Sequence, residues 1–549
     1  VTKISAKRKF LRLALLVAVT SALAATTFVG SVSANQDDDD FGRFFGFVPG
    51  TLVVTRSVYV GTASTITVGE VLPPRCVAGN VQVPSATPGG KPATVAVTCG
   101  VATFNGSYPN VFFNDQSDGS FAVSSPIFLD NITTFGFRLG TLAIPSDQIV
   151  TSFSSKSELA LNLSTDGKSL TFVGYRGGPG FVTGPNQLDV SNSNTPGVID
   201  PTNQDVGQYF RSVGEVDAFG QLTVTEGDAY SGDNGRAAIK GESLYYMTGN
   251  DNNGNLTKAE LSSTEAGVEL VNSTGAELLV PGLAPPVPPN ITMIGRLQFG
   301  TDKPGKDTNF RGLTIFNNTL YVTKGSGSNG VNTVYQVGTP GTLPSGDAAT
   351  LATVPITILP GFPSTNASTT TAFPFGIFFA NANTLYVCDE GDGTLVTPVV
   401  NGNVATPLAQ ANAGLQKWVQ TNGVWSMEYV IQNGLNIGVP YSVPNLPSSF
   451  NPATDGCRNL TGHVNGDGTV NLYVVTSTVS ASGDQGADPN KLESVTDILD
   501  ATSLPAANTP ESLFIDHFFT IRAAQFAEVL RGVAFAPSAF GNIGGLPLD

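Results

Sequence analysis

Arg311-Gly-Leu-Thr-Ile-Phe-Asn-Asn-Thr-Leu-Tyr-Val-Thr323 reads as two short strands joined by a two-residue asparagine turn. Apolar and β-branched residues favour the strands, and paired asparagines tolerate the left-handed backbone of a tight hairpin. The phrase recurs along most of the chain. Leu159-Ala-Leu-Asn-Leu163 turns into Ser169-Leu-Thr-Phe-Val-Gly174, and Arg236-Ala-Ala-Ile-Lys240 turns into Ser243-Leu-Tyr-Tyr-Met247. Phe375-Gly-Ile-Phe-Phe379 leads to Thr384-Leu-Tyr-Val387, and Leu460-Thr-Gly-His-Val464 leads to Asn471-Leu-Tyr-Val-Val475. Measured on the leucines at 170, 244, 320, 385 and 472, the period is 65 to 87 residues, room for four strands and their loops.

Two more strands are expected after each copy, as 414–420 and 424–431 follow the fourth. A sixth copy starts at Leu530-Arg-Gly-Val-Ala-Phe-Ala-Pro537 and then stops. The strands it lacks are present in surplus at the other end, at 52–59, 126–133 and 139–145. The economical solution is an all-β fold, a single β-propeller whose ring is closed by N-terminal strands joining the C-terminal one. Such closure removes exposed sheet edges. The count gives six blades, or seven if the irregular insertion at about 64–125 holds another. Helices are expected only at 523–530 and 489–499.

A resemblance follows from phrases in order along the chain: Ser157-Glu-Leu-Ala-Leu161, Asp228-Ala-Tyr-Ser-Gly-Asp-Asn-Gly-Arg236, Leu359-Pro-Gly-Phe-Pro363, Gly414-Leu-Gln-Lys-Trp418 and the 530–537 stretch. These resemble a group of exported, functionally uncharacterised propeller-like proteins. The resemblance implies the fold and carries no activity or catalytic residue with it.

Lys3, Lys7, Arg8, Lys9 and Arg12 precede an apolar run that ends at Val32-Ser33-Ala34, a small-x-small cleavage pattern. Residues 1–34 therefore read as a secretory signal peptide and 35–48 as a flexible acidic lead-in, with the propeller at 49–549. The expected location is secreted: extracellular, cell-surface or periplasmic, with no membrane insertion after cleavage. Without the five leader cations, 22 basic residues face 43 acidic ones, a net charge of −21. That balance argues against nucleic acid and anionic lipid as partners. A monomer is expected.

Cys76, Cys99, Cys388 and Cys457 form an even set in an exported chain, which favours disulfides over a metal site. Cys76 with Cys99 would staple the Pro/Gly-rich insertion. Cys388 ends the second strand of the fourth copy and Cys457 stands just before the fifth, so a bridge between neighbouring blades is geometrically reasonable. Spacing alone leaves the pairing open.

Standard catalytic signatures are missing: no Gly-x-Ser-x-Gly elbow, Walker loop or His-Glu-x-x-His. The two histidines, His463 and His517, are expected to be hydrogen-bonded structural residues in strands. Carboxylates are then the remaining acids and bases. Asp389, Glu390 and Asp392, and the 251–255 loop, alternate oxygen donors with glycine in a manner that suits calcium, although neither completes a twelve-residue calcium loop. Solvated turn chemistry is the simpler reading.

Repetition points more firmly to arginine. Arg236, Arg311 and Arg531 stand directly before the first strand of three copies, and Arg458 is a fourth. Placed around one mouth of a central channel, they would recognise a carboxylate, sulfate or phosphate; paired with acids of neighbouring blades, they would be clasps. Trp418, Trp425 and Tyr175 are candidates for carbohydrate contact or for core packing. The function expected is a binding or scaffold module for an extracellular glycan, polyanion or protein. The alternative is a calcium-supported hydrolase, lactonase or lyase using carboxylates at the channel mouth.

Overall fold

The computed structural model describes residues 44–541 except 84–89, 117–120, 178–185, 189, 197–198, 228, 251–267, 273–290, 294–295, 298–308, 326–330, 352, 366–371, 398–405, 408–409 and 484. The leader at 1–34, most of the acidic lead-in and the 251–255 loop lie outside the described residues.

The 311–323 phrase forms the expected hairpin. Phe310–Phe316 pairs antiparallel with Thr319–Lys324, and Asn317 and Asn318 both take positive φ, 45° and 54°. Short asparagine side chains are among the few that adopt this conformation at small cost, so the turn closes in two residues.

Five sheets contain a simple antiparallel meander of four strands. One runs Gly235–Gly241, Leu244–Gly249, Val268–Asn272, Ile291–Met293. The next continues the 310–324 hairpin through Thr333–Val337 and Pro355–Ile358, with Arg296–Leu297 added in parallel. Then come Pro374–Asn381, Thr384–Asp389, Gly414–Thr421, Val424–Ile431, and after them Ala453–Val464, Thr469–Val479, Lys491–Ile498, Phe519–Ala523. The fifth joins the two ends of the chain. Glu528–Phe535 pairs with Leu52–Val58, which pairs with Ile127–Ile132 and through it with Arg138–Ala143. A further sheet is branched: Ser169–Arg176 carries Arg211–Asp217 and Leu222–Gly227 on one side, and both Asn162–Leu163 and Ile149–Ser152 on the other.

Hydrophobic clusters lie between each sheet and the next. Tyr246 and Phe310 belong to one, Val334 and Leu385 to another, Tyr386 and Leu472 to a third. Val475 with Leu530, Val53 with Leu170, and Val213 with Tyr245 complete the circuit. Sheets that pack face to face in a closed circle, each covering the apolar face of its neighbour, define a β-propeller.

Both helix expectations fail. Lys491–Ile498 is a strand, because pairing on both sides with Thr469–Val479 and Phe519–Ala523 outweighs a local spacing that also suits a helix. Residues 523–527 end one strand and turn, with Ala527 at φ 61°, into Glu528–Phe535. The 64–125 insertion contains two small two-stranded sheets, Val71–Leu72 with Gly100–Val101 and Gly79–Val83 with Ala93–Val97, and no four-stranded sheet among the described residues. Its disulfide is Cys76–Cys99, and Cys388–Cys457 links neighbouring sheets, with Cα atoms 5.8 and 5.1 Å apart. Cys457 lies inside Ala453–Val464 rather than before it.

Candidate functional site at one mouth of the channel

The innermost strands share one irregularity, and it decides where the arginines go. Pairing shifts register between Gly235 and Ala237, between Phe310 and Leu313, and between Cys457 and Leu460. On the closing sheet the shift falls between Thr55 and Arg56, opposite Gly532 and Leu530. Each shift leaves an arginine out of the ladder: Arg236, Arg311, Arg458 and Arg531. A bulge bends its strand and redirects the extra side chain. All four guanidinium groups are buried. The same bulge requires a small residue after two of them. A Cβ on Gly312 would stand 2.1 Å from the Phe375 carbonyl oxygen, and one on Gly532 2.3 Å from the Leu161 nitrogen, so glycine here permits neighbouring inner strands to approach.

Segment 153–158, which follows the strand Ile149–Ser152, ties these groups together. Arg531 donates to the carbonyls of Phe153 and Ser155, the latter at 2.7 Å, and to Ser57 Oγ at 3.2 Å. Arg311 donates to Ser157 Oγ. Lys156 Nζ reaches Glu390 Oε1 at 3.0 Å and Gln485 Oε1 at 2.9 Å. Arg458 Nε meets the other Glu390 oxygen at 2.9 Å. Arg236 donates to Asn309 and to the Phe310 carbonyl on the adjoining sheet, with Asp233 at 3.8 Å.

Three cations thus act on the single carboxylate of Glu390. Burial alone would raise its pKa, but Lys156, Arg458 and Arg311 outweigh burial and hold it at about 2. Cation crowding has the reverse effect on the bases. Burial, reinforced by Arg236 and Arg458, lowers Arg311 to about 9, and burial with Arg311 and Arg458 lowers Lys156 to about 8. Arg236 and Arg311 each also keep a buried Nε that has no hydrogen-bond partner among the described residues. A buried charged donor without an acceptor is costly, and an incoming anion would relieve it.

Two further carboxyls adjoin. Asp389 accepts from the backbone nitrogens of Phe373 and Gly391, at 2.9 and 3.0 Å, and Asp455 from that of Gly393 at 3.0 Å. Burial, with repulsion from Glu390, pushes each up to about 7. Asp392 is exposed and held by Gln410. The three residues of the calcium candidate therefore serve different partners, and among the described residues no three metal-ligating side chains converge.

Repetition in the sequence led to the arginines but gave no sign of Lys156, Ser157 or Gln485, which have no counterpart in the other copies. Glu158 was missed too. It stands three residues before Leu161, as each arginine stands three before a channel residue, and it is a carboxyl in that place. It accepts from Thr151, Ser152, Tyr175 and Asn234 at 2.6 to 2.9 Å, and burial raises its pKa.

Tyr175, Trp418 and Trp425 are buried, with Trp418 stacked on Phe362 at 4.0 Å, so they are core residues and offer no carbohydrate platform. The histidines depart from expectation. His463 lies in a strand as expected, whereas His517 precedes one, and among the described residues Nδ1 of each has no hydrogen-bond partner. Their rings pack instead against Phe535 and Phe519.

Fold and site together define a β-propeller with a buried cation cluster where its innermost strands begin. No family model matches the chain, and no curated protein is significantly similar to it. Among solved structures it is similar to a protein from Lactobacillus plantarum, at 10% identity over 89% of this chain and 99% of that one, TM-score 0.29. The hemagglutinin-neuraminidase ectodomain of parainfluenza virus 5 matches at 10% identity over 89% of this chain and 94% of its own, TM-score 0.31. A Synechocystis apocarotenoid oxygenase variant matches at 8% over 85% and 66%, TM-score 0.21. At these values none bears on the activity of this chain.

Proposed function

We propose that the chain is an exported binding or scaffold module, a propeller of six blades when the branched sheet is counted with the five meanders. It engages an extracellular glycan, polyanion or protein through an anionic group seated at the channel mouth, among Lys156, Arg236, Arg311 and Arg458. The observation that carries this reading is the pair of buried guanidinium Nε atoms, on Arg236 and Arg311, with no acceptor among the described residues, beside a lysine whose side chain is 26% exposed. Planar guanidinium groups suit carboxylate, sulfate and phosphate, and their low-dielectric setting strengthens each bond formed. The secreted location and a monomeric state belong to the same proposal. The location rests on the leader pattern and on two disulfides. The test is a binding screen of the mature protein against acidic glycans and polyanions, with and without calcium. Saturable binding to an anionic class supports the module, and no binding to any of them removes its support.

A second reading is favoured by Asp389 and Asp455, both pushed up to about 7 next to Glu390. Carboxyls poised near neutrality suit general acid-base work in a hydrolase, lactonase or lyase. Turnover of a bound glycan or lactone, lost in Asp455→Asn, would decide for it.

A further inference from the structure

The opposite end of the same channel has a different chemistry. A cavity of about 250 Å³ is lined there by the later residues of the innermost strands, from Leu161 and Ile239 to Thr314, Ile377, Thr461 and Ala534. None of its lining residues ionises. Phe316, Phe378 and Phe535 are among its lining residues, and Phe316 stacks on Phe379 at 4.7 Å with planes 9° apart. Leu163, Ile315, Phe316, Phe378 and Leu460 all remain partly exposed at this end. The innermost strands of a propeller surround a central channel, and here one end of it opens into an uncharged recess of mixed polar and apolar lining, an available binding surface.

We infer that this recess binds a small uncharged aromatic or fused-ring molecule. Its volume excludes a folded partner or a polymer segment and matches a ligand of two or three rings. Contact with the apolar part of the lining and burial of the ligand's apolar surface supply the attraction. Thr314, Thr461 and Asn162 offer neutral hydrogen-bonding groups for orientation, and a charged ligand would leave its charge buried without a partner. This site is separate from the arginine mouth and does not depend on the function proposed there.

The probe is N-phenyl-1-naphthylamine, a neutral three-ring amine whose fluorescence rises in apolar surroundings. The full-length mature protein is expected to bind it saturably at one site. Its sulfonated relative 1-anilinonaphthalene-8-sulfonate should bind more weakly by on the order of tenfold or more, since the recess has no cation. Thr461→Trp and Thr314→Trp each fill the recess from a different, partly exposed position. Each should weaken the neutral probe by about tenfold or more, with far-ultraviolet circular dichroism and the melting midpoint unchanged. The inference is overturned if the wild-type protein shows no saturable binding. Equal affinity for the sulfonated probe, or unaltered binding in whichever tryptophan variant keeps the native spectrum, would overturn it too.

Discussion

Arg458 on one sheet donates its Nε proton to Glu390, which directly follows the strand Thr384–Asp389 of the neighbouring sheet, at 2.9 Å, and both side chains are within a few per cent of full burial. An ion pair in such a position holds two blades in register at the channel mouth. Replacing Arg458 by Met leaves Glu390 buried with Lys156 as its remaining direct partner. Breaking a buried pair from one side costs about 3 to 5 kcal/mol, and Lys156 places the expected loss near the lower end. Urea denaturation of Arg458→Met measures it, and a loss below about 1 kcal/mol would show that the pair is not a clasp.

Arg531 differs from its counterparts because its donors are spent on Phe153 O, Ser155 O and Ser57 Oγ. Arg531→Met should cost about 3 kcal/mol through orphaned carbonyls, yet leave anion affinity within about twofold. A large loss of affinity with native stability would reverse the roles assigned to Arg531 and Arg311.

Gly312 stands where any Cβ would meet the Phe375 carbonyl oxygen at 2.1 Å. Gly312→Val should force the two inner strands apart and destabilise by about 3 kcal/mol or more, and Gly312→Ala by about 1 to 3 kcal/mol. Thermal melts of the two variants should rank in that order, and an unchanged midpoint for Gly312→Val would contradict the close approach.

The carboxyls of Asp389 and Asp455 rise from an ordinary 3.8 to about 7 in the folded chain. The folded state therefore binds protons more tightly than the unfolded one, and this stabilisation is complete below the unfolded value and lost as pH rises through about 7. Glu390, lowered from 4.5 to about 2, acts oppositely and is at full effect above 4.5. Melting temperature should fall from about pH 5 to about pH 8, and Asp455→Asn should flatten that fall. Parallel profiles for the two proteins would sink the assignment.

The Cys388–Cys457 bridge closes a loop of 69 residues between neighbouring sheets, and Cys76–Cys99 one of 23 within the insertion. Replacing the first pair by Ala should cost about 4 kcal/mol by loop-closure entropy; the second, about 3 kcal/mol on the same formula, should act mainly on the insertion. Denaturation of each double variant, with protease sensitivity of the insertion as a local readout, distinguishes them.

The ring was legible in the sequence because each blade repeats the same inner hairpin, and apolar alternation with an asparagine or glycine turn survives divergence. Closure could be read from the surplus strands at 52–59, 126–133 and 139–145, which now sit at Leu52–Val58, Ile127–Ile132 and Arg138–Ala143. The repeated arginines carried half of the site. Their bulges were not readable, because a bulge is a property of pairing between strands. Lys156 and Gln485 enter from two unrelated loops, and no repetition marks a residue that the chain uses once. The strand Lys491–Ile498 was misread because Leu492, Val495 and Leu499 also fit a helical spacing, which only its neighbours on both sides overrule.

The central claim is that the cation cluster is a binding site and not only a set of clasps, and Arg311 is its most exacting residue: among the described residues its side chain bonds to Ser157 and its Nε has no partner. The direct measurement is a calorimetric titration of wild type and Arg311→Met with an oligogalacturonate, alongside their thermal melts. The account predicts affinity lost by about tenfold or more in Arg311→Met with melting unchanged or raised, since a buried donor lacking an acceptor has been removed. Equal binding by the two proteins, or a collapse of stability with no difference in binding, would contradict it.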